Sequence, residues 1–494
     1  MMRSGLARGA IAVALGMAVM RAGPALGQIP PPPAPVPSTT NADAVPVPTE
    51  LLAVTPGGLT AEAVGTRAAA TSWNARASEE NLRGAAARVD EAWSAFLPRL
   101  TGAAKYTRLS EFTPPSIAFL TPQQCAGLGI PPTGCASLTG GVSFPLVFDN
   151  WVLQAGIVVP ISDYLARTDQ NYTAATHSQE AARWDIVSTR AASLANGKSA
   201  YYTWLRARGA VIVATQALND QRTHLRDARN QFAVGNASKA DVLRAETAVA
   251  SAELTVERAK NLMDLSEKQL KVAIHAGDEE SLLLGESLEG PLPPVQGNLK
   301  QMTVEALASR PEVKSADANA AAARQQAAAA RSGRYPNLSA FADATYANPN
   351  PRVFPQTSSW FPTWDVGAQL TWSPNDILLA NGSAADATSR AAAIEANKNN
   401  VRDGIEVEVT QAWQAVHEAD FAIDASTREQ TSAAEAYRVA RELFNNGRGT
   451  STTLTDAETD LTRSRLDLLN AKTDARVARV RLDHALGRDV VVKK

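Results

Sequence analysis

Two stretches of this 494-residue chain spell the same helix end, turn and helix start. One, from Arg229, reads "RNQFAVGNASKADVLRAETA"; the other, from Arg441, reads "RELFNNGRGTSTTLTDAETD", with matched Arg, Phe, Gly, Ala and Glu positions 212 residues apart. A seam of apolar and small residues flanks each turn, its spacing alternating between three and four. After the first turn it runs Val242, Ala245, Val249, Ala252, Val256 and on to Ala273; after the second, Leu454, Ala457, Leu461, Ser464, Leu468 and on to Ala485. Before the turns it runs from Trp204 to Phe232 and from Val416 to Phe444. A 3.5-residue period keeps a seam facing one partner helix under supercoiling, whereas an ordinary amphipathic face drifts out of register. Small residues at alternate seam positions let two backbones come close. Two helical hairpins are therefore expected, and they are long. Between Leu165 and Phe232 there is no proline, and at ~1.5 Å per residue a continuous helix there reaches about 100 Å. Helices of that length make a rod or a tube.

Ahead of each hairpin the period changes to two. Leu100, Gly102, Ala104 and Tyr106 alternate with Thr101, Lys105 and Thr107, and Trp151, Leu153, Ala155, Ile157 and Val159 share one face. In the second half Leu338, Ala340, Ala342, Ala344 and Tyr346 alternate with Asn337, Ser339, Asp343 and Thr345; only Phe341 breaks the polar face. Trp364, Val366, Ala368, Leu370 and Trp372 form the clearest strand. Helices are expected before these strands, over about Leu59–Ala95 and Thr303–Arg331. Each half thus reads helix, strand, loop, strand, helical hairpin. Alternating strands edged by aromatic residues are the pattern of membrane barrels. Four cannot close by themselves, and an open edge in lipid leaves backbone groups unpaired, so several copies have to share a barrel.

Residues 1–27 read as a signal peptide: Arg3 and Arg8, an apolar run from Ala10 to Met20, and Ala25-Leu26-Gly27 before the cut. No later apolar run approaches the ~20 residues of a membrane helix. Residues 28–58 form a proline-rich linker, 59–290 the first repeat, 291–490 the second and 491–494 a tail. Cys125 and Cys135 are expected to close a small surface loop as a disulfide. The five histidines show no ligand spacing and are expected at the surface, so no metal or cofactor is implied. A net charge of −2 with no basic cluster argues against nucleic acid. There is no nucleophile elbow, phosphate loop or zinc-binding helix, so the chain does not read as an enzyme.

The segments "FLPRL" with "AKY" and "RYPNLSAF", the tryptophan-led strands ending at Asp163 and Asp376, and the paired Phe-x-x-Gly turns together resemble the TolC-like outer-membrane efflux family. The resemblance implies a mainly α fold with β and an internal duplication. It further implies a homotrimer, whose twelve-stranded β-barrel in outer-membrane lipid, four strands per chain, continues into a long periplasmic α-helical coiled-coil barrel. Such a tube passively conducts substrates from an inner-membrane pump, through a periplasmic adaptor, to the exterior in efflux or type I secretion. It also implies that the hairpin tips, with Gly235, Ser238, Gly447 and Thr450, meet the adaptor. Asp456 matches an acid that rings the closed entrance; the companion acid three residues earlier is Thr453 here. Asp241 matches an acid in inter-helix links, and the partner arginine's place is taken by Gly449, with Arg448 beside it. The alternative from the residues alone is a periplasmic coiled-coil scaffold or adaptor subunit without a membrane barrel. Cargo, pump and the open or closed resting state are not written in the sequence.

One added residue after Ala252 rotates every later seam position by about 100°. Such an insertion is expected to abolish oligomer assembly, read as the mass of the detergent-extracted protein; normal assembly would remove the coiled-coil account.

Overall fold

The computed structural model describes residues 45–111, 120–139 and 147–489. The expected signal peptide, most of the proline-rich segment and the tail lie outside the described residues. Helices α1 (Ala61–Thr71) and α2 (Trp73–Ser94) lead into β1 (Arg99–Arg108). Two small helices, α3 (Pro122–Gly127) and α4 (Pro132–Thr139), precede β2 (Asp149–Val159). A short α5 (Ile161–Asp163) and a π-helical turn over Tyr164–Thr168 run into α6 (Asp169–Ala233), and α7 (Lys239–Ala273) returns. The second half repeats the order: α8 (Leu299–Ser309), α9 (Pro311–Arg331), β3 (Asn337–Asn348), β4 (Phe361–Thr371), α10 (Pro374–Asn445) and α11 (Ser451–Ala485). With 65 residues in α6 and 72 in α10, these helices extend about 100 and 110 Å.

The four strands form one antiparallel sheet in the order β1-β2-β3-β4. Register lines up one apolar face across it: Leu100, Ile157, Ala342 and Val366 stand side by side, as do Gly102, Ala155, Ala344 and Trp364. Phe341, the exception to the alternation, pairs with Gly367. A Cβ at Gly367 would lie 2.8 Å from the Phe341 ring, so the ring covers a place where the neighbouring strand has no side chain. No helix among the described residues is long and apolar enough to cross a membrane. The connections β1–β2 and β3–β4 leave the sheet at the end away from the long helices. In the first of them a Cys125–Cys135 disulfide, Cα to Cα 5.8 Å, ties α3 to α4.

Both hairpins close along the heptad seams. Val242, Ala245, Val256, Ser266 and Leu270 of α7 are buried, and so are Leu454, Leu461, Ser464, Ala471 and Leu482 of α11. The seam serines cost nothing in unpaired groups: Ser266 donates to the Met263 carbonyl at 2.8 Å and Ser464 to that of Leu461 at 2.9 Å. Above the hairpins sit two larger apolar clusters. One packs α1 and the 282–288 segment on α6 and α7 through Val64, Trp204, Leu270 and Leu284; the other packs α8 and α9 on α10 and α11 through Met302, Val313, Val409 and Leu482. Close approach here needs glycine, since a Cβ at Gly197 would stand 2.7 Å from that of Ala68 where α1 crosses α6.

The helices expected over 59–95 and 303–331 are each broken in two. Proline cannot donate and pushes its predecessor out of the helical region. Arg310, before Pro311, is accordingly extended (φ −60°, ψ 127°). Its buried guanidinium is held by Glu312 at 2.8 Å and Glu408 at 3.0 Å and reaches the His484 carbonyl at 3.3 Å. In the first half Ser72 does the same without proline, its hydroxyl accepting from the Ala75 N–H at 3.3 Å to start α2. Residues from Val45 onward are docked. The Val45 N–H donates to Asn219 Oδ1 at 3.1 Å, Asn219 Nδ2 donates back to the Val45 carbonyl at 2.8 Å, and Leu59 pairs with Leu284.

Candidate functional site

Both tips are built by the same backbone device. Gly235 (φ +82°) and Gly447 (φ +67°) take the left-handed conformation that ends a helix. The Asn236 N–H then reaches back to the Gln231 carbonyl at 2.8 Å and the Arg448 N–H to that of Leu443 at 2.9 Å. The following helix starts differ. Ser238 Oγ accepts from the Asp241 N–H at 3.2 Å while Asp241 Oδ2 accepts from the Ser238 N–H at 3.0 Å, a reciprocal capping box. Thr450 Oγ1 accepts from the Thr453 N–H at 3.1 Å, and the two hydroxyls meet at 2.9 Å. Within the protomer the Asp241 carboxylate is thus used locally, by Ser238 and by Arg244 at 3.2 Å. The Ser238 hydroxyl and N–H hold its carboxyl below the ordinary value.

The two tips touch. Gln231 Nε2 donates to the Asn445 carbonyl at 2.8 Å, and Asn236 lies against Gly447. Upward from there a polar ladder joins the first hairpin to the second: Asp227 with Arg441 at 3.4 Å, Asp220 with Arg465 at 3.0 Å, and Arg206 with Asp474. The apolar core at this level is small, consisting of Ala228, Ala245, Ala440, Phe444 and Leu454. Phe444 is buried, whereas its seam mate Phe232 is half exposed beneath the Lys239 ammonium.

One rung corrects the expectation of surface histidines. His224 is buried between the hairpins, with Nδ1 3.0 Å from Glu458 Oε2 and Nε2 3.2 Å from Ser451 Oγ. The imidazole and carboxylate side chains are only 1% and 2% exposed. Burial of the ring is tolerated because both of its nitrogens have partners, whereas Glu458 Oε1 is buried without a hydrogen bond. His484 is also partly buried, against Asp489 at 2.8 Å. The burial of His224 was not visible from spacing, since its partners lie more than 200 residues downstream.

The other expected site residues fall into place around the tips. Asp456 is exposed on α11, beyond its first turn. Arg448 is exposed and borders a groove of about 500 Å³ with Val439, Glu442, Leu443 and Asn446. Gly235, Ser238, Gly447 and Thr450 are exposed at the tips themselves. The Cys125–Cys135 bridge lies at the other end of the molecule, beyond the sheet.

A four-stranded sheet with one continuous apolar face, prolonged by two long hairpins that end in a shared polar tip, defines a subunit of an outer-membrane channel. The comparisons agree. The model of the outer membrane efflux protein family matches residues 66–274 and 302–488, one match in each half, and the chain belongs to that family. The fold is shared with solved channels of low sequence identity. Against the outer-membrane channel OprN the TM-score is 0.71 at 17% identity, covering 86% of this chain and 89% of that one. The Campylobacter jejuni CmeC outer membrane channel gives 0.68 at 16%, covering 93% and 94%. The outer membrane protein VceC of Vibrio cholerae gives 0.69 at 18%, covering 86% and 96%. No curated protein matches the sequence significantly. The chain is accordingly an outer-membrane protein whose helical barrel stands in the periplasm.

Ser238→Ala is expected to weaken the start of α7 by about 1 kcal/mol at pH 7, read as faster amide exchange at residues 239–242. Because the folded Asp241 carboxyl lies below its unfolded value, its share is present above that unfolded value and lost as pH falls through the folded one. The difference between variant and wild type should therefore shrink below about pH 4. Equal exchange at pH 7 would remove the box from the account.

Proposed function

We propose that three copies close one twelve-stranded barrel and that the tube passively conducts substrates delivered at its periplasmic end by an inner-membrane pump and an adaptor. The observation that carries this reading is the sheet itself. Its apolar face is continuous over four strands, and β1 and β4 are outer strands whose free edges lipid cannot satisfy. Neighbouring copies supply the missing pairs, and three copies give a strand number within the bacterial range. The exposed tips, with the Val439–Leu443 groove and Arg448 on the second and Phe232, Val234 and Leu243 on the first, offer mixed apolar and charged ground for an adaptor.

In this reading Asp456 contributes one carboxylate per copy to a narrow neck. A ring of three carboxylates favours cations and binds divalent ions. The expected result for the detergent-purified protein is a trimer by mass that forms discrete channels in a planar bilayer. A water-soluble monomer or dimer without channels would favour the scaffold reading. Asp456→Ala is expected to raise single-channel conductance and blunt block by divalent cations; unchanged conductance would take Asp456 out of the neck.

A further inference from the structure

Where the sheet gives way to the long helices, the turn from β2 into α6, the start of β3 and the start of α10 enclose a pocket of about 240 Å³, bordered by Asp163, Arg167, Arg334, Tyr335, Trp372 and Asp376. We propose that it binds the headgroup of an inner-leaflet phospholipid that carries a phosphodiester and a primary ammonium, with the phosphate on Arg167 and Arg334 and the ammonium on Asp163 and Asp376. All of its walls come from one chain, so the site does not depend on how many copies close the barrel.

The pocket lies at the edge of the membrane-facing surface. Leu338 and Leu370 stand opposite each other at the end of the sheet's apolar face, and close by are Tyr335 and Trp372, 71% and 55% exposed. Aromatic residues just past an apolar band sit at the level of the lipid headgroups. The helices leaving this level stand in the periplasm, so the leaflet within reach is the inner one.

The backbone frame is fixed on two sides. The Ser162 hydroxyl ties α5 to β3, donating to Asn337 Oδ1 at 3.3 Å and accepting from the Leu338 N–H at 2.9 Å. Opposite it, Gly333 brings the 3₁₀ turn Ser332–Arg334 close to α10, where an added Cβ would stand 3.4 Å from that of Ala380. Helix α10 begins here with no side-chain cap bond from Ser373, and an uncapped helix start favours an anionic group.

The charges around the pocket do not answer one another. Among the described residues neither arginine and neither aspartate of this set forms an ion pair. Elsewhere even exposed helix charges are paired, as Arg390 is with Asp386 and Arg438 with Glu435. Both signs are therefore left for a ligand that carries both. A phosphate takes the parallel donors of a guanidinium. A primary ammonium donates hydrogen bonds to carboxylates, which a trimethylammonium cannot, and a headgroup without a cation would leave two carboxylates unanswered. The pocket is smaller than the ~300–1,000 Å³ typical of drug-sized ligands, so it takes a headgroup and leaves the acyl chains to the apolar face.

The duplication sharpens the contrast. The motif "FLPRL" that leads into β1 is matched at β3 by "RYPNL", which makes Phe96 the mate of Arg334. In the first half that ring packs on Tyr164 and Tyr172, with centroids 6.2 and 5.9 Å apart. One half fills the place beneath its strand with aromatic rings; the other leaves it open and charged. Packing alone is served by the filled form.

The test titrates the detergent-purified full chain with phosphatidylethanolamine, phosphatidylcholine and phosphatidylglycerol of identical acyl chains and counts bound lipid by native mass spectrometry. Wild type is expected to hold one phosphatidylethanolamine per chain about tenfold more tightly than either other lipid, a margin that one charge-assisted hydrogen bond supplies. R167Q/R334Q is expected to lose that binding. D163N/D376N is expected to keep a lipid but lose the preference, admitting phosphatidylglycerol. Equal binding of the three lipids by wild type, or a preference unchanged in both variants, overturns the proposal. Should the variants not assemble, amide exchange of residues 332–337 in wild type decides: slower exchange with phosphatidylethanolamine than with phosphatidylcholine supports the site, and equal exchange overturns it. Soluble phosphoethanolamine that displaces the lipid at equal concentration would make the ligand a periplasmic solute and overturn the membrane source.

Discussion

The constraint on which everything else rests is the closeness of the helix backbones along the two seams. Half of the seam positions are alanine or serine, so each layer buries little apolar surface and contributes little, at about 0.8 kcal/mol per buried methylene. Stability has to accumulate over length. That is why α7 and α11 each carry their seam without a break for 35 residues, and why a proline-free run opposite them is needed. The seam hydroxyls are satisfied by their own helix, as Ser464 is by the Leu461 carbonyl at 2.9 Å. A hairpin therefore closes without needing any polar partner from outside.

Apolar mass is spread unevenly along that length. Large side chains concentrate where the short helices pack on the hairpins, with Tyr201, Trp204, Leu205 and Leu270 in one half and Met302, Val409 and Leu482 in the other. Toward the tips the core thins to alanines around Phe444 and Leu454, and contact between hairpins passes to ion pairs and single hydrogen bonds. Partly exposed pairs of this kind are each worth up to about 1 kcal/mol. Regions with few buried apolar contacts open at the lowest free energy. The fold thus fixes the sheet end and leaves the tips the part whose arrangement small forces decide, where an entrance would need to be.

The legible features were the periodic and local ones. A 3.5-residue seam, a two-residue alternation and a Phe-x-x-Gly turn are each complete within a few residues, and the structure contains them all. Features set by distant partners were not legible. Phe341 looked like an error in the polar face until register placed it over Gly367. Ser72 looks like any serine, and only its cap bond to Ala75 reveals the helix break, whereas the break at Arg310 follows from the proline after it. His224 is the clearest case, because its burial depends on Glu458 and Ser451 in the other repeat and no local spacing reports them.

The repeat offset shows which residues are free to diverge. The seams are nearly interchangeable between halves because each closes its own hairpin by the same alternation of larger and small residues. The flanking positions face whatever lies beside the hairpin, and there the halves part company. Asp241, which completes the capping box of α7, has Thr453 as its mate, and Arg244, which pairs with that Asp, has Asp456. An acid that stabilises a helix start in one half has no counterpart in the other, and a cation is replaced by an exposed acid. A duplicated hairpin thus keeps its fold in the seam and places its differences on the flanks, which is why the two tips share a backbone but not a surface.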